Sequence, residues 1–586
     1  MPNISAPTVR KRLLPFLTAG AVSLVSLLGL SPSAAHAATV TVFEHNGRTH
    51  EADNRFLTGP ASNPRLPAAA EPTGPFLAPV ADPLSAIANV AAEVARESHA
   101  LSRATQSAAP QSFQDSLLQL FDTAQIPRAT YLNDLSLWSR ALTEEKQIAK
   151  WRRAQLTDVT ALLDQLATRK QVTAARLPVL IVMLNRNAQY WRTGAKLVYP
   201  DRVQFAGSEL VWQFYPGYGL QFQVLGTFGE GDGYYEAGVS DYPELVTLMN
   251  EVKQMEVTRA GGIAWEYYFD WEGGAPPWVS AMAQATGIEA LTDAYLATSD
   301  HTYLTEAHDA LGLFEVKPPV GTAVKTTLGT RYLQYSFAPK TDIINAYLQT
   351  LLGLYDYEQA SLDPTALALY NAGNAQAQSE LNSFIISGWS LYQPGVPDNL
   401  NYHELVTGFL KLLCAKTKIP VYCTTYQTFE SDLTSKTKPV LEQLTLGVKP
   451  DRAFSLTFYL SKYASVGVQL TNGRKNFLYT KVAYEGGTRS FQAPKLKAGT
   501  YSLSMSATDP VGNYTKITGE VKVCASGCSQ TIRATPVTTT TTTTTATTTT
   551  PTSTATSTTP STTTPTTTTG TQTAPPATTT TGGAGL

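Results

Sequence analysis

The chain has little of what most catalytic chemistries need. It holds 7 histidines and 4 cysteines in 586 residues. That scarcity limits metal centres and Ser-His-Asp arrangements. No nucleophile elbow, HExxH helix, Walker loop or dinucleotide fingerprint is present, so the sequence offers no cofactor signature. "GTFGEGDGYY" packs glycines closely, but no Lys-Ser/Thr follows. It reads as a hairpin turn, not a phosphate cradle. The formal net charge is -2, which leaves no electrostatic footprint for nucleic acid or an anionic membrane. After the N-terminal apolar run, no segment is long enough to span a bilayer.

The cysteines form two close pairs, Cys414 with Cys423 and Cys524 with Cys528. Zinc prefers tighter CxxC pairs with histidine partners. Two local disulfides in an oxidising compartment fit better. The N-terminus predicts export through a signal peptide over 1–37. Arg10, Lys11 and Arg12 precede an apolar core from Leu13 to Leu30, and "AHA" at Ala35 to Ala37 is a cleavage site. The expected location is extracellular or at the cell envelope.

Composition divides the rest. Residues 38–83 read as extended linker, the Pro/Ala/Asn-rich part beginning at Asn54. Residues 84–195 carry apolar positions at helical spacing. From 196 to 434 an aromatic, β-branched stretch with Gly/Pro punctuation predicts short antiparallel strands, then paired helices follow. "PPWVSAMAQATGIEALTDAYLATSD" starts with Pro at the expected helix entrance. "KTDIINAYLQTLLGLYDYEQAS" and "NYHELVTGFLKLLCAKT" continue the series, which suits an (α/α) toroid-like domain with an antiparallel β portion. Residues 435–532 alternate in period two and predict a small all-β sandwich of immunoglobulin or fibronectin type. Residues 533–586 are Thr-rich and uncharged, and predict a disordered stalk. The expected class is thus multidomain and mainly α.

Tyrosine is abundant, with 28 in the chain, clustered near Trp, Gln and Asn in loops before helices. "SGWSLYQPGVPDNLNYHEL" sets Tyr392 and Tyr402 on either side of a turn. Together with "YPGYGLQFQVLGTFG", the "PPWVSAMAQ" helix and "INAYLQTLLGLYDY", this stretch resembles the D-glucuronyl C5-epimerase family over roughly Leu197 to Thr417. The resemblance implies a helical toroid with β-structure. It also implies inversion of C5 of glucuronic acid inside a uronic-acid polysaccharide, on heparosan or its N-sulfated form in the animal enzymes. It places three catalytic tyrosines at Tyr335, Tyr392 and Tyr402.

The chemistry explains the phenols. The C5 hydrogen is α to a carboxylate and weakly acidic. Inversion needs a base on one face and an acid on the other, and a phenol can be either once its surroundings tune it. Charge developing on the carboxylate needs donors or a cation. Arg331, Asn345, Gln284 and His403 are the candidates, with Trp278 as a sugar platform. Gln284 and Asn345 read equally as core amides, His403 as a helix brace, and Trp265, Trp271 and Trp278 as core packing. Where animal members carry an acidic pair before the first tyrosine, this chain has Leu333 and Gln334. Where they carry an arginine after the second, it has Gly395. Both changes remove charge that would orient a sulfated chain. A polysaccharide lyase using the same proton abstraction and a non-catalytic carbohydrate-binding envelope protein are the alternative readings.

Overall fold

The computed structural model describes residues 37–58, 111–443, 445–448, 451–525, 528–531 and 535–536. The expected signal segment before Ala37, the 59–110 stretch and the Thr-rich tail beyond 536 lie outside the described residues.

The segment expected to be linker opens with structure instead. Ala37–Phe43 (β1) and Thr49–Thr58 (β2) form an antiparallel hairpin. Thr39, Val40, Thr41 and Val42 are β-branched and suit a pleated surface. β1 runs parallel to Arg202–Phe205 (β3), and Trp212–Tyr215 (β4) and Gly219–Phe222 (β5) complete a sheet of order β2-β1-β3-β4-β5.

One face of this sheet is apolar. It packs on Lys150–Thr168 (α3) and Leu177–Thr193 (α4), and Phe113–Asp122 (α1) and Arg128–Gln147 (α2) pack against these helices. The Phe43 ring lies 5.3 Å from Tyr190, and Phe214 lies 5.7 Å from Trp191. The other face is polar. Arg202 pairs with Gln213 and Gln213 with Gln221, so all three project to one side, with Gln204 and Tyr215 two residues along their strands. Gln213 and Gln221 are nevertheless buried, so this polar face is turned inward.

The glycine-rich stretch read as a hairpin turn is helical, Val224–Ala237 (α5). Val224, Thr227, Phe228 and Tyr234 are buried on one side of it. That packing overrides the weak helix propensity of glycine. α5 packs on Ala281–Thr298 (α7), which follows Tyr242–Val252 (α6). The approach is close at Gly287 of α7, where a Cβ would sit 2.9 Å from the Phe228 and Trp265 rings. Pro276 and Pro277 do not open α7 as expected. Ser280 caps it, accepting from the Ala283 N–H, because Trp278 is held in a bridge to Tyr267.

The remaining helices are Thr302–Asp309 (α8), Gly312–Glu315 (α9), Ile344–Ser361 (α10), Pro364–Glu380 (α11), Leu400–Thr417 (α12) and Pro420–Thr434 (α13). α7 packs on α10, α10 on α11 and α12, and α12 on α13. Small antiparallel sheets sit between them: Val257–Arg259 (β6) with Gly262–Ala264 (β7), Ala323–Lys325 (β8) with Thr330–Tyr332 (β9), and Ile385–Ile386 (β10), Trp389–Gln393 (β11) and Val396–Pro397 (β12). The Cys414–Cys423 disulfide ties α12 to α13. Cys524 is disulfide-bonded as well, while the side chain of Cys528 lies outside the described residues. Among the described residues no helix is long and apolar enough to cross a membrane.

Among the described residues, strands alone follow α13. Three-stranded and five-stranded sheets share one apolar core that includes Phe458, Leu460, Val466, Leu503 and Val521. Thr535–Pro536 still pairs with Ile517 and Thr518, so ordered pairing extends past the expected stalk boundary at 533.

Candidate functional site

The turn that drew attention in the sequence is a three-stranded ribbon leading into α12. Asn399 caps that helix, and its side chain accepts from the Tyr402 N–H at 2.9 Å. The cap therefore fixes the backbone beneath Tyr402. Tyr392 projects from β11, and its ring centre is 4.8 Å from that of Tyr402, tilted by 55°.

Tyr335 arrives from another part of the chain. Leu333 N–H donates to Thr322 O, and Leu333 O accepts from Ala281 N–H. Ser336 N–H donates to Val279 O, and Ser336 Oγ accepts from Val279 N–H at 3.1 Å. These bonds on both sides lock the residue. Its ring stacks on Phe337 and meets the edge of Trp278 at 5.6 Å. Phe337 fits there because residue 274 is glycine, since a Cβ would sit 2.2 Å from that ring. Only a residue without a side chain lets the 271–274 turn lie over it.

The three phenols form one interacting cluster. Tyr392 interacts with both Tyr335 and Tyr402. Burial raises all three phenols, and the neighbouring phenols add to the rise at Tyr392. Burial pushes Tyr402 up to about 12, with Tyr199, Asp398 and Glu272 adding to the rise and Tyr392 partly offsetting it. Tyr402 is thus the phenol easiest to ionise in this trio.

Behind the tyrosines lies a second series. Ser390 Oγ is 2.5 Å from Asp398 Oδ2 and 2.7 Å from His403 Nδ1. His403 Nε2 is 3.3 Å from Phe429 O, and its ring stacks on Trp389 at 3.7 Å. Burial raises Asp398 to about 7 and lowers His403 to about 3. Ser390 Oγ–H donates to Asp398, Ser390 Oγ also meets His403 Nδ1, and His403 Nε2 faces Phe429 O. His403 is 0% exposed, so it braces the turn and cannot touch a polymer.

The other sequence candidates also have structural tasks. Arg331 closes on Asp342 and Glu380 at 2.9 and 2.5 Å. Gln284 donates to Ile263 O and Ala310 O in the core. Trp278 donates to Phe269 O and stacks on Tyr267 at 4.1 Å, so it walls Tyr335 and presents no open platform. Asn345 is buried at the start of α10, and its Oδ1 has no hydrogen-bond partner among the described residues.

Sequence reasoning missed the residues that complete the site. Tyr199 is 37% exposed and interacts with Tyr402. Tyr215 lies near Tyr335 and stands 5.9 Å from Trp271. Glu272, exposed in the turn after Trp271, adds negative field at all three catalytic candidates. Arg202 interacts with Tyr199, Tyr215 and Tyr267. The usable signal was the alternation of "RVQF" and "WQFY", which sets polar side chains opposite buried apolar ones. Among the described residues no group of three or more His, Cys, Asp or Glu is arranged to hold a metal ion.

Three phenols from two segments thus converge next to a polar sheet face. Residues 260–431 match the family model of the D-glucuronyl C5-epimerase C-terminus. All three tyrosines fall inside this epimerase segment. The Caenorhabditis elegans D-glucuronyl C5-epimerase is 39% identical over 88 residues, 15% of this chain and 14% of the worm protein. The aligned part is therefore a small fraction of that enzyme's length. An uncharacterized protein of Methanocaldococcus jannaschii is 24% identical over 207 residues, 34% of this chain and 67% of that one. A solved structure of Pseudomonas fluorescens alkylpurine DNA glycosylase AlkC bound to DNA containing an abasic site analog aligns at 9% identity, covering 68% of this chain and 100% of that chain. Its TM-score is 0.12, so that likeness carries no argument. Arg202 and Tyr215 come from the sheet and Tyr199 from the turn before β3, all upstream of the epimerase segment.

Proposed function

We propose that the protein is an exported uronosyl C5-epimerase that inverts C5 of glucuronic acid residues within a polysaccharide. The observation that carries this reading is the cluster of three interacting phenols, Tyr335, Tyr392 and Tyr402, inside the epimerase segment. In this proposal Tyr402, as phenolate, takes the C5 proton. The C–H electron pair moves into a C5–C6 double bond, and the charge spreads onto the carboxylate oxygens. Tyr335 then returns a proton to C5 from the other side, and Tyr392 relays hydrogen bonds between the two. No bond in the chain backbone breaks and no electrons are exchanged with another reagent. The helices from α5 to α13 would close as an (α/α) toroid, and the C-terminal sheets would form an immunoglobulin- or fibronectin-like module displayed beside it. Gln334 and Gly395 favour a polymer less charged than a sulfated chain.

Incubation with a glucuronic acid polymer in heavy water tests the chemistry. Epimerisation places deuterium at C5, inverts some residues and leaves chain length unchanged. Chain shortening with an unsaturated, ultraviolet-absorbing end would instead make the protein a lyase. Polymer binding with neither change would make it a binding protein.

A further inference from the structure

Tyr392 is carried on β11, and the turn Ser387–Gly388 joins β11 to β10. Gly388 sits at φ +70°, in the left-handed region that favours glycine. The ribbon is short on both sides of β11. Ile385–Ile386 and Val396–Pro397 offer two residues each, and pairing this brief holds register weakly. The C-terminal strands support it. The turn between Phe454–Leu460 and Ala464–Thr471 lies against Ser387. Tyr463 N–H donates to Ser387 O at 2.7 Å, and Ser387 Oγ–H donates to Ser461 O at 2.9 Å. A Cβ on Gly388 would stand 2.8 Å from Lys462 Cβ. A second turn, between Asn476–Tyr484 and Gly487–Ala493, closes from another strand pair. It contains Gly486, where a Cβ would stand 2.7 Å from Ser387 Oγ.

The same strand module also holds α13. Lys462 pairs with Asp509 at 2.5 Å, and the Asp509 side chain is 2% exposed. Asn513 fixes Asp509 in turn, donating to it from its backbone N–H at 2.7 Å and its side-chain amide at 2.9 Å. That amide also donates at 2.8 Å to the carbonyl of Ser435, the residue that ends α13. Both gripped elements enclose His403. The ribbon sets the Trp389 ring 3.7 Å from the imidazole, and α13 sets the Phe429 ring 5.0 Å from it. Trp389 directly follows Gly388, and Tyr402 directly precedes His403.

We propose that the C-terminal strand module is a clamp on the ribbon that carries Tyr392, with Ser387, Lys462 and Gly486 as positioning residues that set Tyr392 against Tyr402. The assignment deepens the epimerase reading and rests on it. Tyr392 lies four residues beyond Gly388, roughly 13 Å along an extended strand, so a shift of the turn is carried to the phenol. A misplacement of about 1 Å at a reacting group costs roughly 100-fold in rate. The Lys462–Asp509 pair gives the contact one geometry more than it adds stability. On this assignment the strands beyond α13 belong to the support of the site.

The test uses the full-length protein and a glucuronic acid polymer. Gly486→Val sets a branched side chain against Ser387 and should lift the module from the turn. Amide hydrogen exchange over residues 385–393, read by mass spectrometry, should then speed up at least about tenfold while α7 and α10 exchange as in wild type. C5 deuterium incorporation should lose roughly 10-fold or more in kcat, with KM within about twofold. Lys462→Gln should act in the same direction, and Lys462→Arg should recover most of the kcat. This second pair decides the matter if Gly486→Val unfolds. Wild-type hydrogen exchange over 385–393 in both Gly486→Val and Lys462→Gln would overturn the clamp. So would faster exchange spread evenly through the helices with no recovery in Lys462→Arg, which would make the module a general stabiliser. A wild type that incorporates no deuterium at C5, with 385–393 responding to the substitutions as expected, would sink the epimerase reading and leave the clamp standing.

Discussion

Tyr392 and Tyr402 sit with ring centres 4.8 Å apart, and each neighbours a member of the buried Asp398–Ser390–His403 series. Tyr392 is two residues after Ser390 on β11, and Tyr402 immediately precedes His403 on α12. The buried series therefore sets the distance between the two phenols, and disturbing it moves both.

Tyr402→Phe keeps the ring and removes the phenolic oxygen. With Tyr402 as the base, C5 exchange should fall by roughly 100-fold or more with little change in polymer affinity. Deuterium incorporation at the wild-type rate would remove Tyr402 from the reaction.

A phenol at about 12 is ionised in about one molecule in 100,000 at pH 7. The ionised fraction grows about tenfold per pH unit below that value. Exchange should therefore rise with pH between 7 and 9, with a slope near one in logarithmic units. A flat profile in that range would show that no phenolate is needed.

Glu272 raises the three phenols through its negative charge. Glu272→Gln should lower them and shift the pH profile toward lower pH, raising exchange at pH 7 by roughly 2- to 5-fold. Kinetics at a series of pH values decides this, and slower exchange at pH 7 would mean that Glu272 contacts substrate.

Asp398 and His403 give opposite pH dependences of stability. Asp398 is raised to about 7 from the ordinary 3.8. Its contribution is complete below about pH 4 and is lost as pH rises through 7. His403 is lowered to about 3 from 6.5, so its contribution is complete above about pH 6.5 and is lost as pH falls through 3. Asp398→Asn should flatten the decline in Tm between pH 5 and 8, a change on the order of 3 kcal/mol in the wild type. Calorimetry across that range checks the sign, and an unchanged slope would show that Asp398 does not hold a proton in the fold.

Much of the helical part was readable from spacing alone. The runs that became α10 and α12 carry apolar residues every three to four positions and end where a left-handed residue closes them, Leu362 and Lys418. The tyrosine trio was reachable only through resemblance, because nothing local ties Tyr335 to Tyr392. Long-range contacts also defeated the readings that failed. α5 is helical because Phe228 and Tyr234 are buried, which the glycines around them conceal. Arg331 and Gln284 looked like site groups until the structure showed the partners that occupy them. Arg202 went unnoticed because one arginine on a four-residue strand has no pattern. Only the register with Gln213 shows which way it points.

Thr41 pairs with Val203, and the four helices α1 to α4 lie between them in the chain. That parallel ladder cannot form until the whole helical block has been synthesised, and long loop closure is slow. The β1–β2 hairpin must therefore wait with one edge uncovered, a template for pairing with other chains. The order of assembly follows: local helices first, sheet closure next, and the inward row of glutamines last. A newly made chain is accordingly most prone to self-association before β3 arrives, and substitutions in Thr39–Val42 should reduce yield before they alter the mature protein.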